Sequence, residues 1–152
     1  MYTREEASQI RREFWTTLGN YLSPLLSAEG MKVNWLNYKT GIRHIHFRMD
    51  ADRQQASIAI ELTHPDAGIR ELFFEQFLEL KTLFKNYTDG WEWLQDSQDE
   101  NGRQISKIIK TIEPVNIFRK QDWHTLISFF KSNILALDEF WSDAKYSFDA
   151  LK

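Results

Sequence analysis

Residues 31–63 read MKVNWLNYKTGIRHIHFRMDADRQQASIAIELT, and the alternation inside this stretch decides the fold class. Three runs, 31–38, 42–49 and 56–63, place apolar residues at every second position, the period of a strand with one buried face. Turn-forming residues separate them, first Lys39, Thr40 and Gly41, then the polar stretch 50–55. The expectation is a three-stranded antiparallel meander. Centring the first turn on Thr40 pairs position 36 with 44 and 34 with 46. Centring the second between Asp52 and Arg53 pairs 61 with 44 and 59 with 46. Both placements put Met31, Val33, Trp35, Ile45, Phe47, Met49, Ala56, Ile58, Ile60 and Leu62 on one face. A one-residue slip in either turn would mix polar with apolar residues, so the agreement argues for the pairing. Asn34, His44, His46, Arg48 and Glu61 fall on the opposite face, with Glu61 across from His44.

An apolar strip of this size needs helices over it, and the flanking sequence supplies them. Ile10, Phe14, Leu18, Tyr21 and Leu25 make one stripe of a helix over about 4–26, with Pro24 and Gly30 as stop signals. A second helix is expected over 66–87, with Pro65 in its first turn and a stripe of Ile69, Phe73, Phe77, Leu80 and Phe84. Runs 91–95 and 104–112 read as a second hairpin around Asn101-Gly102. Ile105, Ile108, Ile109 and Ile112 also fit a helical spacing, and β-branching favours the strand. The last element is a long helix over 121–151, whose stripe from Trp123 to Phe148 implies a length of about 45 Å. The predicted class is α+β: N-terminal helix, meander, helix, second hairpin, and a long C-terminal helix packed on the sheet.

Composition narrows the function classes. A chain of 152 residues has the size of a single domain and buries enough surface to fold without a disulfide or metal staple. It contains no Cys, which excludes thiolate chemistry and suits a reducing cytosol. No signal peptide and no membrane span are read, so the expected localisation is cytoplasmic. A formal charge of −3 gives no general attraction to nucleic acid.

Two constellations suggest chemistry. His44, His46 and Glu61 resemble a two-histidine, one-carboxylate metal set, but with no fourth ligand in view a solvated sheet face is the better explanation of them. No cofactor follows from the sequence without a fourth ligand. Asp50, Glu61 and Thr63, in a helix–strand–strand–strand–helix order, resemble the core of the PD-(D/E)xK nucleases. Thr63 stands where that motif needs Lys, and Asp50 lies at the turn end of its hairpin, about 17 Å from Glu61. Arg103, Lys107, Lys110, Arg119 and Lys120 form the most basic stretch, and Trp91 and Trp93 are the first candidates for base stacking. The final helix packs on its own domain by default. Its distal part, from Trp141 to Phe148, is the place where a homodimer would form.

The runs Glu13-Phe14-Trp15-Thr16-Thr17-Leu18, Ala59-Ile60-Glu61-Leu62, Trp91-Glu92-Trp93 and Asp122-Trp123 resemble the bacterial domain-of-unknown-function family 4268. The resemblance implies that 104–112 is a strand. It also implies an accessory or binding role beside nucleic-acid processing, because some family members carry nuclease-like domains. It brings no catalytic set. The leading expectation is a non-catalytic binding or accessory module, recognising a protein partner or nucleic acid through the polar sheet face or the final helix. The alternative is a metal-dependent hydrolase or nuclease-like enzyme using His44, His46 and Glu61.

Overall fold

The computed structural model describes residues 2–151. Helix α1 spans Arg4–Leu22. Thr3 opens it with a reciprocal cap: its hydroxyl accepts from the Glu6 N–H at 3.1 Å, and the Glu6 carboxylate accepts from the Thr3 N–H at 3.2 Å. The helix stops at Leu22, earlier than expected: Ser23 still has helical backbone and donates to the Gly19 carbonyl, but Pro24 has no N–H to continue the ladder. Phe14, Leu18 and Leu22 form its buried stripe, and Tyr21 is exposed.

Strands β1, Ile45–Ala51, and β2, Ala56–Leu62, form the first hairpin. Helix α2, Ala67–Glu79, follows, with Asp66 accepting from the N–H groups of Gly68 and Ile69. The expected 66–87 helix breaks at Leu80, after which the short α3 covers Lys81–Lys85. Strands β3, Glu92–Gln98, and β4, Gln104–Ile112, form the second hairpin, which settles the strand-or-helix ambiguity at 104–112. A bulge interrupts it between Leu94 and Ser97, where the Ser106 hydroxyl donates to the Gln95 carbonyl at 2.6 Å. Helix α4 closes the fold over Trp123–Ala144.

The sheet order is β1-β2-β4-β3, antiparallel throughout. The expected α+β class, antiparallel sheet and C-terminal helix over it are all present. The meander is not. Its supposed first strand, 31–38, makes no ladder among the described residues and pairs only through an isolated bridge between Lys32 and Leu26. Asn34 turns this segment into a 3₁₀ turn at Trp35–Asn37, its side-chain oxygen accepting from Leu36 and Asn37 N–H at 3.2 Å each. An Asn side chain that captures its neighbours' amides removes them from any ladder. The third strand beside β2 is β4 instead, so each hairpin contributes its second strand to the centre of the sheet.

The observed register pairs His46 with Glu61, Arg48 with Ala59 and Ala51 with Ala56. It differs by two residues from the expected pairing of 61 with 44. The turn explains the shift. Asp52 donates to the Gln55 carbonyl and its carboxylate accepts from Gln54 and Gln55 N–H, centring the turn between Arg53 and Gln54. A shift of two preserves the side-chain faces, so the apolar and polar sides within 45–62 are as expected.

The apolar face carries Ile45, Phe47, Ile58, Ile60, Leu62 and Ile108, packed under α1, α2 and α4 in one aromatic core. Phe77 stacks on Trp141 at 6.1 Å between ring centroids with 19° between planes, and Phe148 lies 4.7 Å from Phe77. The Trp141 indole donates to the Thr40 carbonyl at 2.7 Å, tying α4 to the approach to β1. Beyond Ala144 the chain tightens into a 3₁₀ turn over Lys145–Leu151, which returns Phe148 to the core. Helix α4 therefore spans about 33 Å, shorter than the sequence implied. Trp141, Ala144 and Phe148 are buried in their own domain, so the distal stripe on which a homodimer depended is not exposed.

Candidate binding groove on the open sheet face

The second face of the sheet bears no helix. His46 and Arg48 on β1, Glu61 on β2 and Lys107 on β4 project from it, as do the small residues Ser57 and Ala59. The β3–β4 loop forms one rim, and Pro65, Ala67 and Arg70 at the start of α2 form another. Together they enclose a groove of about 1040 Å³. The loop is shaped by Asp99, whose carboxylate accepts from the N–H groups of Asn101 and Arg103 at 2.9 Å each.

At one end of the groove, His44 adopts φ 71°, a left-handed conformation that β-carbon crowding makes costly for a residue other than glycine. Its carbonyl still accepts from the Thr63 N–H at 2.9 Å, and its ring meets that of His64 edge-on at 4.7 Å. Nδ1 of His64 accepts from the Asp66 N–H at 3.0 Å, and the same ring lies edge-on to the buried Phe73 at 6.4 Å. The Arg70 guanidinium donates to the His64 carbonyl at 2.9 Å. Burial first, then the positive potential of His64, Arg43 and His46, lowers the His44 pKa below its ordinary value. His46 is lowered by burial and then by Arg48, with Glu61 opposing.

The expected site residues meet different fates. His44, His46, Arg48 and Glu61 all line the groove, whereas Asn34 caps the 3₁₀ turn and lies off the sheet. Glu61 is ion-paired to Arg48, Nε to Oε1, at 2.9 Å. Among the described residues no three His, Asp or Glu side chains are grouped to hold a metal ion. The expected His44, His46 and Glu61 set does not converge, because Glu61 turns to Arg48 and His44 turns to His64. Asp50 lies opposite Ser57, four positions along β2 from Glu61, a separation of about 13 Å. The two carboxylates cannot share a metal.

The basic stretch is divided too. Arg103 and Lys107 line the groove, Lys110 points to the helical side and donates to Asn133 at 3.2 Å, and Lys120 pairs with Glu13 at 3.4 Å. Trp91 and Trp93 pack edge-on against Phe84 at 5.3 and 5.7 Å on the core side, so neither offers a ring to the groove. Sequence reasoning missed His64, Arg70 and the β3–β4 loop. The only local signal was the His64-Pro65-Asp66 run preceding a helix, which sets the His64 ring and positions Arg70 one turn into α2.

Fold and groove together define a class: a single-sheet α+β domain with helices on one face and a polar, open second face. The chain belongs to DUF4268, a domain of unknown function, whose family model matches residues 10–145. No curated protein and no solved structure matches it. No helix among the described residues is long and apolar enough to cross a membrane.

Proposed function

We propose that this domain is a non-catalytic binding module that receives an extended segment of a partner protein across the open face of its sheet. The observation that carries this reading is the groove itself, a polar face of about 1040 Å³ left uncovered beside a fully packed aromatic core. Mixed charge and hydrogen-bonding side chains suit a peptide, whose backbone presents both donors and acceptors. A nucleic-acid strand fits less well, since the groove is lined by no Phe, Tyr or Trp ring among the described residues and sets Arg48, Arg70, Arg103 and Lys107 beside as many carboxylates. A metal-dependent hydrolase is disfavoured by the commitment of Glu61 to Arg48. The lack of Cys supports a cytoplasmic setting for the module.

Selection from a random peptide display library against the immobilised chain tests the proposal. Ser57 is half-buried on the open face, so Ser57→Arg should block the groove while leaving the core intact. Enrichment of related peptides that Ser57→Arg abolishes is the expected result. Enrichment indifferent to that substitution places binding elsewhere and defeats the reading. Tight capture of single-stranded oligonucleotides with no peptide enrichment also defeats it.

A further inference from the structure

The groove is not uniform along its length, and its His44 end differs from its turn end. At the turn end, Asp50 binds the Ala51 N–H and faces Ser57. At the other end, cationic and N–H donor groups gather: His44, His46, Arg70, Arg103 and Lys107, with the His64 ring behind that of His44. Among the described residues, Arg70, Arg103 and Lys107 make no ion pair. Lys107 is the cross-strand partner of Glu61, yet Glu61 pairs with Arg48 instead. The carboxylates nearby are occupied by backbone amides: Asp99 holds its own loop and Asp66 caps α2, while Glu100 stands exposed at the loop tip. Arg70 is anchored through one N–H to the His64 carbonyl, which leaves further donors of its planar fork unused.

His44 adds an independent sign. A non-glycine residue in left-handed backbone costs stability and persists where the surroundings enforce it, commonly at ligand sites. Here it sets an imidazole at the mouth of the groove, against the ring edge of His64.

Building on the binding-module reading, we infer that the His44 end of the groove is a carboxylate-recognition subsite, which takes an acidic side chain of the bound partner segment. Arg70 supplies a fork suited to two carboxylate oxygens, Lys107 and Arg103 supply charge, and His44, backed by the ring of His64, closes the mouth. The occupant is an Asp- or Glu-bearing peptide segment, chosen by charge complementarity at this end of the groove.

The test uses the full chain and a fluorescein-labelled octapeptide of alternating Asp and Ser, read by fluorescence anisotropy. The matching Asn–Ser peptide should bind about tenfold or more weakly, the size of one lost charge-assisted hydrogen bond. Arg70→Gln should weaken the acidic peptide by a similar factor and leave the Asn–Ser peptide unchanged. His44→Gly is a second variant that suits the local backbone, and its unfolding midpoint, measured alongside, separates a loss of binding from a loss of fold. Equal binding of the two peptides, or acidic-peptide binding untouched by Arg70→Gln and His44→Gly, overturns the subsite. Stronger binding of a phosphate-bearing oligonucleotide at the same variants also overturns it. Display selection that enriches groove-dependent but acid-free peptides would sink the subsite while leaving the binding module standing.

Discussion

The two faces of one sheet behave as different materials. On the helical face, side chains interlock: Phe77 touches Phe140, Trp141 and Phe148 at centroid distances of 6.4, 6.1 and 4.7 Å. On the open face the only ion pair is Arg48 with Glu61 among the described residues, and small residues hold the centre. Both patterns come from the same alternation along β1 and β2, since successive side chains point to opposite sides. The difference teaches where stability resides. Burial on one face supports the fold, so residues on the other are released from packing and can be selected for what they bind.

The hardest blow to this contrast is struck at the core. Trp141→Ala removes rings packed against Phe47, Phe77 and Phe148 and the bond to the Thr40 carbonyl. Equilibrium urea unfolding should show a loss of about 3–5 kcal/mol. A loss below about 1 kcal/mol would mean that the helical face does not carry the stability assigned to it.

The 31–38 segment sharpens the comparison, because it belongs to the core without belonging to the sheet. The Tyr38 hydroxyl donates to the buried Asp138 carboxylate at 2.6 Å, and the other Asp138 oxygen accepts from the Ala28 N–H at 2.7 Å. Burial first, then Asp138, raises the Tyr38 pKa, so the phenol stays protonated as the donor. Tyr38→Phe leaves one carboxylate oxygen buried without that partner and should cost about 1.5–3 kcal/mol. A neutral result in the same unfolding assay would show that the segment is held by its apolar contacts alone.

These residues also show why part of the structure was legible and part was not. Periodicity read the faces of β1 and β2 correctly, even with the register displaced by two, because a shift of two leaves every side chain on its own face. The same periodicity misread 31–38, where Trp35 and Tyr38 are both apolar yet follow the three-residue step of a 3₁₀ turn. The deciding term was one side chain, Asn34, whose hydrogen bonds alternation does not report. His44, His46, Arg48 and Glu61 were legible as a polar face. Their partners were not: Arg48 reaches Glu61 diagonally, and Arg70 reaches the groove, with His64 behind His44, only because β2 runs into α2 at that edge.

Smaller effects probe the open face. His44→Gly relieves a left-handed residue worth about 1–2 kcal/mol but gives the unfolded chain about 0.5–1 kcal/mol more entropy. The expected net is a gain between nothing and about 1.5 kcal/mol with carboxylate binding lost. That pairing would mark His44 as kept for recognition rather than for the fold. Destabilisation by more than about 1 kcal/mol would instead assign the residue a structural role. Arg48→Ala removes an ion pair whose arginine is largely solvated, with 58% of its side chain exposed. Thermal unfolding should register under about 1 kcal/mol, and a larger loss would show that the open face contributes to stability after all.

The smallest expected effect is a pH dependence seated in the open face. The folded His44 and His46 pKa values lie below their ordinary value of 6.5. The unfolded chain therefore binds more protons over the window below 6.5, and stability rises with pH there. This contribution is fully present above 6.5 and declines as the pH falls toward the folded values. The groups facing His44 are His64, Arg43 and His46; those facing His46 are Arg48 and Glu61. The melting temperature should fall between about pH 7.5 and about pH 5.5, above the usual range for carboxylate protonation. The double variant His44→Gly with His46→Gln should flatten that slope. An unchanged slope in the double variant would place the proton linkage outside the open face, and a melting temperature that rises on acidification would contradict the positive potential assigned to the His44 end.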